Sequence, residues 1–344
     1  MKSITIMKSM LLLVIAVALS SATAIAETIR KVDKHTLVIR GNPDGLEKIL
    51  LDRRAILSSA DPLAIILHGS QGMVKNLRSL LADTPVPRTY GGNIAPPGYL
   101  PWQVGFVDAI ARNIVDGVFC GGALISERWV LTAAHCITDS RALGGNAHPS
   151  RFFMVIGETK MHPGVIRHRA KNIIVHSSWK QPTTTRLDQD IALVELETPV
   201  TFSPEIQPVT LPWPDDRQLL QDGAPLLVSG WGFTEENRNS YDLLHTTVNI
   251  LSNSNCSTIG RYEEFLTGNM VCAHKPGSDT CSNDSGGPAI VFSNSGPVLL
   301  GLASWGYECG SNTNPGVYVR VGRYLNWLSA QTGLSLPLNF ASRE

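Results

Sequence analysis

The sequence lacks an excess of charge of either sign. Its 29 Lys and Arg residues balance its 29 Asp and Glu residues, so the formal net charge is zero. A protein that is held to nucleic acid or to an anionic membrane surface by its overall field needs a basic excess. We therefore expect neither nucleic acid nor a membrane surface among the partners of this chain.

Cysteine is absent from the first 119 residues, and no Cys-x-x-Cys pair occurs anywhere. The six cysteines that follow are an even number, which in an exported chain predicts three disulfides. Metal ligation is the alternative, but paired cysteines at metal-binding spacing are missing. We predict no metal and no other cofactor.

Long apolar runs are absent after the first 26 residues. Residues 1–26 predict an export signal, with Lys2 and Lys8 before an apolar run and Ala24-Ile25-Ala26 as a small-residue cleavage site. A membrane anchor is the alternative, but the run is short for a bilayer. We expect the mature protein to be secreted or periplasmic and free of the membrane once the signal is removed.

Residues 27–88 predict a small pro-segment that folds by itself. Hydrophobic periodicity predicts an alternation of strand, helix, strand and helix, over residues 36–40, 46–57, 62–68 and 73–81. The Pro-rich stretch 83–88 is typical of an exposed linker. We place the boundary after Arg88 and assign residues 89–344 to a second, larger domain.

The stretch Asp284-Ser285-Gly286-Gly287-Pro288 has the composition of a nucleophile loop. Serine is a poor nucleophile unless a base lies next to it and an oxyanion site faces the substrate. Glycines let the backbone curl so that N–H groups point at a reacting carbonyl. A Gly-rich turn capped by an aspartate is the structural alternative.

A base and its orienting acid have candidates earlier in the chain. His135 lies among small residues and next to Cys136, so its ring has room to face a cleft, although a core histidine is the usual alternative. Asp190 opens a short apolar strand, where a carboxylate is costly unless it is hydrogen-bonded. A histidine Nδ1–H is a suitable donor. A solvated aspartate at the end of a strand is the alternative, and neighbouring Asp188 fits that description.

With these motifs, residues 89 to about 328 resemble a chymotrypsin-family serine protease, most closely its trypsin branch. The order His135, Asp190, Ser285 matches that family and differs from subtilisins and α/β-hydrolases. Further matching motifs are Ser229-Gly230-Trp231-Gly232, Ser304-Trp305-Gly306 and Pro315-Gly316-Val317-Tyr318. The roles of the triad are those of the family, which is the standard example of this chemistry.

The resemblance implies an all-β fold of two antiparallel six-stranded Greek-key barrels with a C-terminal helix, preceded here by the small pro-segment. The active site would lie between the barrels, and the closing helix would begin within residues 324–328. The disulfides implied by the family pattern are Cys120–Cys136, Cys256–Cys272 and Cys281–Cys309.

The resemblance also implies the residues that bind substrate. Asp279 lies six positions before Ser285, where trypsin-like enzymes keep an acid at the floor of the specificity pocket, and a buried carboxylate favours a cationic side chain. The further substrate-binding positions are Ser304, Gly306 and Gly316, with Ser304 also bonded to Asp190. The backbone N–H groups of Asn283 and Ser285 would form the oxyanion hole.

Activation by cleavage is implied as well. The mature N-terminus of the family lies twelve residues before the Pro101-Trp102 strand, which is Thr89, directly after Arg88. Cutting the Arg88–Thr89 bond would free the α-amine of Thr89, which would pair with Asp284 and order the oxyanion loop. Arg88 also fits the specificity that Asp279 implies, so self-activation is compatible with the sequence.

Several positions depart from the family pattern. Thr89-Tyr90 replaces two aliphatic residues, Val118 replaces a frequent histidine, and Glu308 stands where glycine is usual at the pocket rim. Asn283 replaces the oxyanion-hole glycine, so we expect a strained hole with the Asn283 side chain directed to the leaving-group side. Residues 157–176 hold Glu158 as their one carboxylate, so the calcium loop of many trypsins is expected to be missing.

The leading prediction is a secreted endopeptidase, made as a zymogen, that cleaves after Arg or Lys. A non-catalytic or weakly active homologue acting as a binding or regulatory module is the alternative, favoured by Asn283 and Thr89 and opposed by the intact triad. An esterase with the same triad fits the Asp279 pocket less well. We expect a monomer whose partners are protein or peptide substrates and protein protease inhibitors.

Overall fold

The computed structural model describes residues 92–138, 148–180, 187–260, 262 and 264–336, together with the backbone of four strands before residue 69. The chain divides into two compact units, residues 1–86 and 87–344. The expected signal peptide, the linker 83–88 and the Arg88–Thr89 bond lie outside the described residues.

Within the first unit, four strands form one antiparallel sheet in the order β1-β2-β4-β3. Their bounds are β1 Thr28–Lys31, β2 Thr36–Arg40, β3 Ala55–Leu57 and β4 Ala64–His68. Strands β2 and β4 lie where the sequence predicts strands.

The structure differs from the sequence prediction at residues 55–57, which form β3 and not the end of a helix. Short apolar runs fit a strand or a helix equally well by periodicity. Here the pairing with β4, in which Leu57 lies opposite Ile65, determines the outcome. The rest of that predicted helix and the helix predicted over 73–81 lie outside the described residues.

The second unit is built mainly of strands, with three short helices among its described residues. The strands are β5 Asn93–Ile94, β6 Gln103–Asp108, β7 Val118–Leu124, β8 Trp129–Thr132, β9 Phe152–Ile156, β10 Ala170–Val175, β11 Ala192–Leu196, β12 Pro225–Gly230, β13 Leu244–Leu251, β14 Met270–His274, β15 Pro288–Ser293, β16 Gly296–Trp305 and β17 Gly316–Arg320. The helices are α1 Ala134–Thr138, α2 Asn253–Gly260 and α3 Leu325–Thr332.

Two antiparallel barrels account for twelve of these strands. The first is a six-stranded sheet in the order β10-β11-β8-β7-β6-β9, whose ends meet where Met154 pairs with His168. The second runs β12-β15-β16-β17-β14-β13 and closes because β13 also pairs with β12, with short β5 added along β13. The predicted two-barrel, all-β fold is therefore confirmed.

Alternation along the strands fills two barrel cores and the layer between them. On β11, Ala192, Val194 and Leu196 pack into the core of the first barrel, whereas Leu193 joins a cluster with residues of the second barrel. On β12, Leu226 and Val228 fill the second barrel and Leu227 joins the shared cluster. Period-two alternation thus lets one strand serve both the barrel core and the barrel-to-barrel contact.

Helix α3 follows the second barrel and begins where the resemblance places the closing helix. Leu325 and Leu328 are buried in the shared cluster, and Gly333 ends the helix in a left-handed conformation with φ 69°. Glycine suits that position because it lacks the Cβ that clashes at positive φ. None of the helices in the described part of the chain is long and apolar enough to cross a membrane.

Candidate active site

The nucleophile loop lies between Cys281 and the start of β15. The Asp284 N–H donates to the Cys281 carbonyl (3.0 Å), and the Gly287 N–H donates to the Asp284 carbonyl (2.9 Å), which makes two consecutive tight turns around Ser285. Gly286 has φ 78°, and a Cβ there would collide with the Thr132 hydroxyl of β8. The sharp turn therefore requires glycine at this position.

The first barrel supplies a histidine–aspartate pair in which the aspartate is buried and the histidine is partly exposed. Asp190 is 0% exposed, and its Oδ2 lies 2.8 Å from Nδ1 of His135. The backbone N–H of His135 donates to Oδ1 (2.8 Å), and Ser304 Oγ of the second barrel donates to Oδ2 (2.6 Å). Three donors thus surround the Asp190 carboxylate. Because a carboxylate oxygen accepts, the ring proton of His135 lies on Nδ1 and its lone pair is on Nε2.

The segment that carries Asp190 is tied to the second barrel by its neighbour. Asp188 Oδ1 accepts hydrogen bonds from Thr267 Oγ1 (3.0 Å) and Asn269 Nδ2 (3.1 Å). Gln189, between the two aspartates, has φ 62°, an uncommon conformation for a residue other than glycine. The expectation that Asp188 is merely solvated is therefore wrong, since its side chain is bonded to the other barrel.

Ser285 lies next to these groups and beside a cavity of about 320 Å³. Its carbonyl accepts from the Gly121 N–H of β7 (2.8 Å), which fixes the loop against the first barrel. The disulfide sulfur of Cys136 lies 3.9 Å from His135 Nε2 and 3.3 Å from the Ser285 carbonyl oxygen. Because Ser304 lines the same cavity as Ser285, the structure brings Ser285, His135, Asp190 and Ser304 into one region.

Asp279 lines this cavity with its carboxyl group almost wholly buried, at 8% exposure. Burial raises its pKa to about 7, although the Thr280 N–H donates to it (2.8 Å) and favours the ionised form. Since burial destabilises the ionised form of this carboxyl group, a cation that entered the cavity would stabilise that form by pairing with it.

The walls of the cavity include Gly306 and Gly316, the two glycines predicted to bind substrate. A Cβ on Gly316 would lie 3.0 Å from Asp279 Oδ1, so a side chain there would occupy the space in front of the carboxylate. Gly306 lies opposite, and Glu308 and Tyr307 line the same cavity. The cavity therefore combines glycine walls with a buried carboxyl group.

Asn283 adopts φ 71°, which is the left-handed conformation that favours glycine, the residue implied at this position by the family pattern. Its backbone N–H and that of Ser285 have no hydrogen-bond partner among the described residues. The Asn283 side chain, expected on the leaving-group side of the cleft, donates from Nδ2 to Oδ1 of Asn239 (2.9 Å). Asn239 was not predicted from the sequence, since no motif surrounds it.

Asp284 is buried at 1% exposure and accepts two backbone hydrogen bonds, from Gly232 (2.8 Å) and Cys281 (3.0 Å). Burial raises its pKa to about 6. No Lys, Arg or His among the described residues forms an ion pair with it, and Thr89, the residue expected to supply an amine, lies outside them.

The structure contains the three disulfides Cys120–Cys136, Cys256–Cys272 and Cys281–Cys309, the same pairs that the resemblance implies. Cys281–Cys309 joins the nucleophile loop to a wall of the cavity. Cys120 and Cys136 cluster with His135, but both sulfurs are oxidised in the disulfide and offer no thiolate to a metal.

Comparison with known proteins agrees with this geometry. The family model described as Trypsin matches residues 89–328. Over 259 residues the chain is 33% identical to vitamin K-dependent protein C of Oryctolagus cuniculus, an alignment that covers 72% of this chain and 52% of the relative. The chain thus spans about half the length of this curated relative.

Proposed function

Because the chain belongs to the trypsin family of serine proteases, we propose that it is a secreted endopeptidase, made as a zymogen, that cleaves peptide bonds after Arg or Lys. The observation that carries the proposal is the buried Asp190 carboxylate 2.8 Å from Nδ1 of His135, in the same region as Ser285. A carboxylate of this kind holds the imidazole in the tautomer that a general base needs.

In the proposed reaction, Ser285 Oγ attacks the carbonyl carbon of the scissile bond while its proton passes to Nε2 of His135. The imidazolium that forms is stabilised by the carboxylate of Asp190, which is held in place by hydrogen bonds from Ser304 and the His135 N–H. His135 then gives the proton to the leaving amine, and the C–N bond breaks to leave an acyl-enzyme. Water, deprotonated by the same histidine, hydrolyses the ester and restores Ser285.

Charge develops on the carbonyl oxygen as the tetrahedral intermediate forms. The N–H groups of Asn283 and Ser285 are proposed to donate to it, and their lack of partners among the described residues supports that role. Such donors stabilise the oxyanion more than the substrate carbonyl, so they accelerate the chemical step.

The proposed preference for Arg or Lys rests on Asp279 in its cavity of about 320 Å³. An uncharged side chain would leave the buried carboxylate without a partner, whereas a guanidinium or ammonium group neutralises it. Gly306 and Gly316 leave room for the stem of a long side chain.

Activation is proposed to occur at the Arg88–Thr89 bond. The carboxyl group of Asp284, buried without a cationic partner among the described residues, supports the arrival of an amine after cleavage. Residues 27–88 contain no cysteine, so the cut pro-segment would not be retained by a disulfide. The proposed location is outside the cytoplasm, and the proposed partners are protein substrates and protein protease inhibitors.

Labelling with a fluorophosphonate tests the proposal. We expect the purified full chain to be labelled at Ser285 after treatment with a trace of trypsin, and Ser285→Ala to remain unlabelled. Hydrolysis of an Arg amide substrate should appear with the same time course as the label. Absence of both label and turnover in the correctly cut chain would favour the non-catalytic binding module.

A further inference from the structure

We propose that Asn239 is a positioning residue that holds the oxyanion donor of Asn283 in its left-handed conformation. The inference rests on the proposed protease activity and adds to it a residue outside the triad, the pocket and the activation site. It starts from the departure at position 283, where asparagine replaces glycine.

Asn239 is buried, at 7% exposure, and its side-chain amide makes three hydrogen bonds. Nδ2 donates to the carbonyls of Val115 (2.8 Å) and Val118 (2.9 Å), and Oδ1 accepts from Nδ2 of Asn283 (2.9 Å). One buried amide therefore connects the oxyanion loop to the turn before β7.

The orientation of the Asn239 amide follows from its partners. The two carbonyl oxygens can only accept, so the NH₂ group must face them and the oxygen must face Asn283. The amide of Asn283 must then present its own NH₂ group to Asn239. The rotamer of Asn283 is thus fixed by a group that has no freedom to flip.

The turn that anchors Asn239 is itself well bonded. The Gly117 N–H donates to the Asn113 carbonyl (3.0 Å), and the Val118 N–H donates to the Val115 carbonyl (3.1 Å). The Asn113 side chain accepts from the Val115 N–H (3.0 Å). The two carbonyls that receive Asn239 are therefore held in place by the turn and by the start of β7.

A tether at this position has a clear physical purpose. Glycine enters positive φ without steric cost, but asparagine at φ 71° is in a sparsely populated region and favours leaving it. If Asn283 left this region, its N–H would turn away from the oxyanion. The hydrogen bond from the Asn283 side chain to the rigid Asn239 amide opposes that rotation. Glycine has no side chain with which to form such a bond.

A double-mutant cycle between positions 239 and 283 tests the inference. In the wild-type background, Asn239→Ala should lower kcat on an Arg amide by about tenfold to a hundredfold, less than the ~10²–10³ expected for outright loss of a donor. In the Asn283→Gly background the same substitution should change kcat less than about threefold, because glycine does not need the tether. Equal losses of kcat in the two backgrounds, or no loss in either, would overturn the proposal.

Two inhibitors separate positioning from general structural damage. Benzamidine, a cation that binds the pocket without forming an oxyanion, should bind Asn239→Ala as it binds the wild type. A peptidyl arginal, whose hemiacetal resembles the tetrahedral intermediate, should bind more weakly by about the factor lost in kcat. Equal weakening of both inhibitors would contradict a role at the oxyanion.

Gln103→Ala is the matched control, since Gln103 is another buried amide, bonded to Ser229 (2.6 Å) and the Val104 carbonyl (3.3 Å). It should lower the melting temperature without the selective loss of arginal binding. If Asn239→Ala does not fold, Asn283→Ala keeps the test open, because it removes the tether and leaves Asn239 bonded to Val115 and Val118. Its kcat should fall well below that of both the wild type and Asn283→Gly, and a kcat equal to theirs would refute the tether.

Fluorophosphonate labelling of the activated wild type accompanies these measurements. A wild type that is not labelled would overturn the protease proposal itself. A labelled wild type with no coupling between positions 239 and 283 would overturn only the role of Asn239.

Discussion

Asp279 is the buried carboxyl group that is proposed to select the side chain bound in the cavity. Asp279→Ser should reduce cleavage after Arg by roughly a hundredfold or more, because the substrate cation would be buried without its partner. A peptide library with all residues at the cleavage position measures this. Glu308→Gln serves as the control, since it removes a rim carboxylate and leaves Asp279 in place; an Arg preference that survives Asp279→Ser would contradict the pocket assignment.

The raised pKa of Asp279 predicts a pH dependence in the same residue. With a pKa of about 7 in the empty pocket, the carboxyl group becomes neutral as the pH falls, and its attraction for a cation is lost. Between pH 8 and pH 6 the affinity for benzamidine should therefore fall by about tenfold. Inhibition constants across this range test the expectation, and an affinity that is flat from pH 8 to pH 6 would mean that Asp279 stays ionised throughout.

Single residues were predictable where a motif surrounds them. Ser285, His135 and Asp279 stand in short patterns with a chemical purpose, and the structure brings Ser285, His135 and Asp190 together. No local pattern marks Asn239, because the residue it is bonded to, Asn283, lies 44 positions away in the sequence. Asp188 looked solvated because its partners Thr267 and Asn269 come from the other barrel, and distant partners leave no trace in local sequence.

At the scale of elements, the segment 188–190 before β11 is held by hydrogen bonds between Asp188 of the first barrel and residues of the second. Asp188→Ala removes its hydrogen bonds to Thr267 and Asn269 and frees the strained Gln189 to relax. We expect kcat to fall by about tenfold through displacement of Asp190, with little change in benzamidine affinity, since the pocket lies on other elements.

Asp222→Ala is the control for this change. Asp222 also accepts two hydrogen bonds, from the Ser252 N–H (2.7 Å) and the Asn255 side chain (2.8 Å), but it touches no part of the site. Steady-state kinetics on an Arg amide compares the two variants. If Asp188→Ala and Asp222→Ala changed kcat equally, or if Asp188→Ala left kcat unchanged, the hydrogen bonds of Asp188 would have no part in positioning Asp190.

Elements were predictable where a motif or a charged residue marks their start. Asp190 before a short apolar run indicated β11, and the motif near Trp102 indicated β6. Residues 55–57 were assigned to a helix because three apolar residues fit either period, and only pairing with β4 selects a strand.

For the whole molecule, the proposed zymogen predicts that one bond controls activity. Arg88→Gln should give an exported, inactive protein that still carries residues 27–88, because trypsin-like cleavage at that bond is lost. Active wild-type protein should begin at Thr89 on N-terminal sequencing. Arg54→Gln, another arginine of the pro-segment, should activate normally; full activity of an uncut Arg88→Gln chain would refute the zymogen.

The two-barrel architecture followed from the family resemblance and not from strand counting. The short strands of the second unit carry weak individual signals, and their order in the sheets depends on contacts between distant parts of the chain. The catalytic motifs are specific enough to predict the fold, whereas residues 27–88 match no such motif and were predicted less well.

Strand β5 sets a limit on the proposed activation at the Arg88–Thr89 bond. It begins at Asn93, four residues after Thr89, and pairs with His245 and Leu244 of β13. An extended chain spans at most about 3.6 Å per residue, so a new N-terminus at Thr89 could lie no more than about 14 Å from Asn93. If Asp284 lies within this reach, such confinement would give the amine an effective concentration of at least the millimolar order at its carboxylate. Free dipeptides with the same sequence would therefore need millimolar concentrations to replace it.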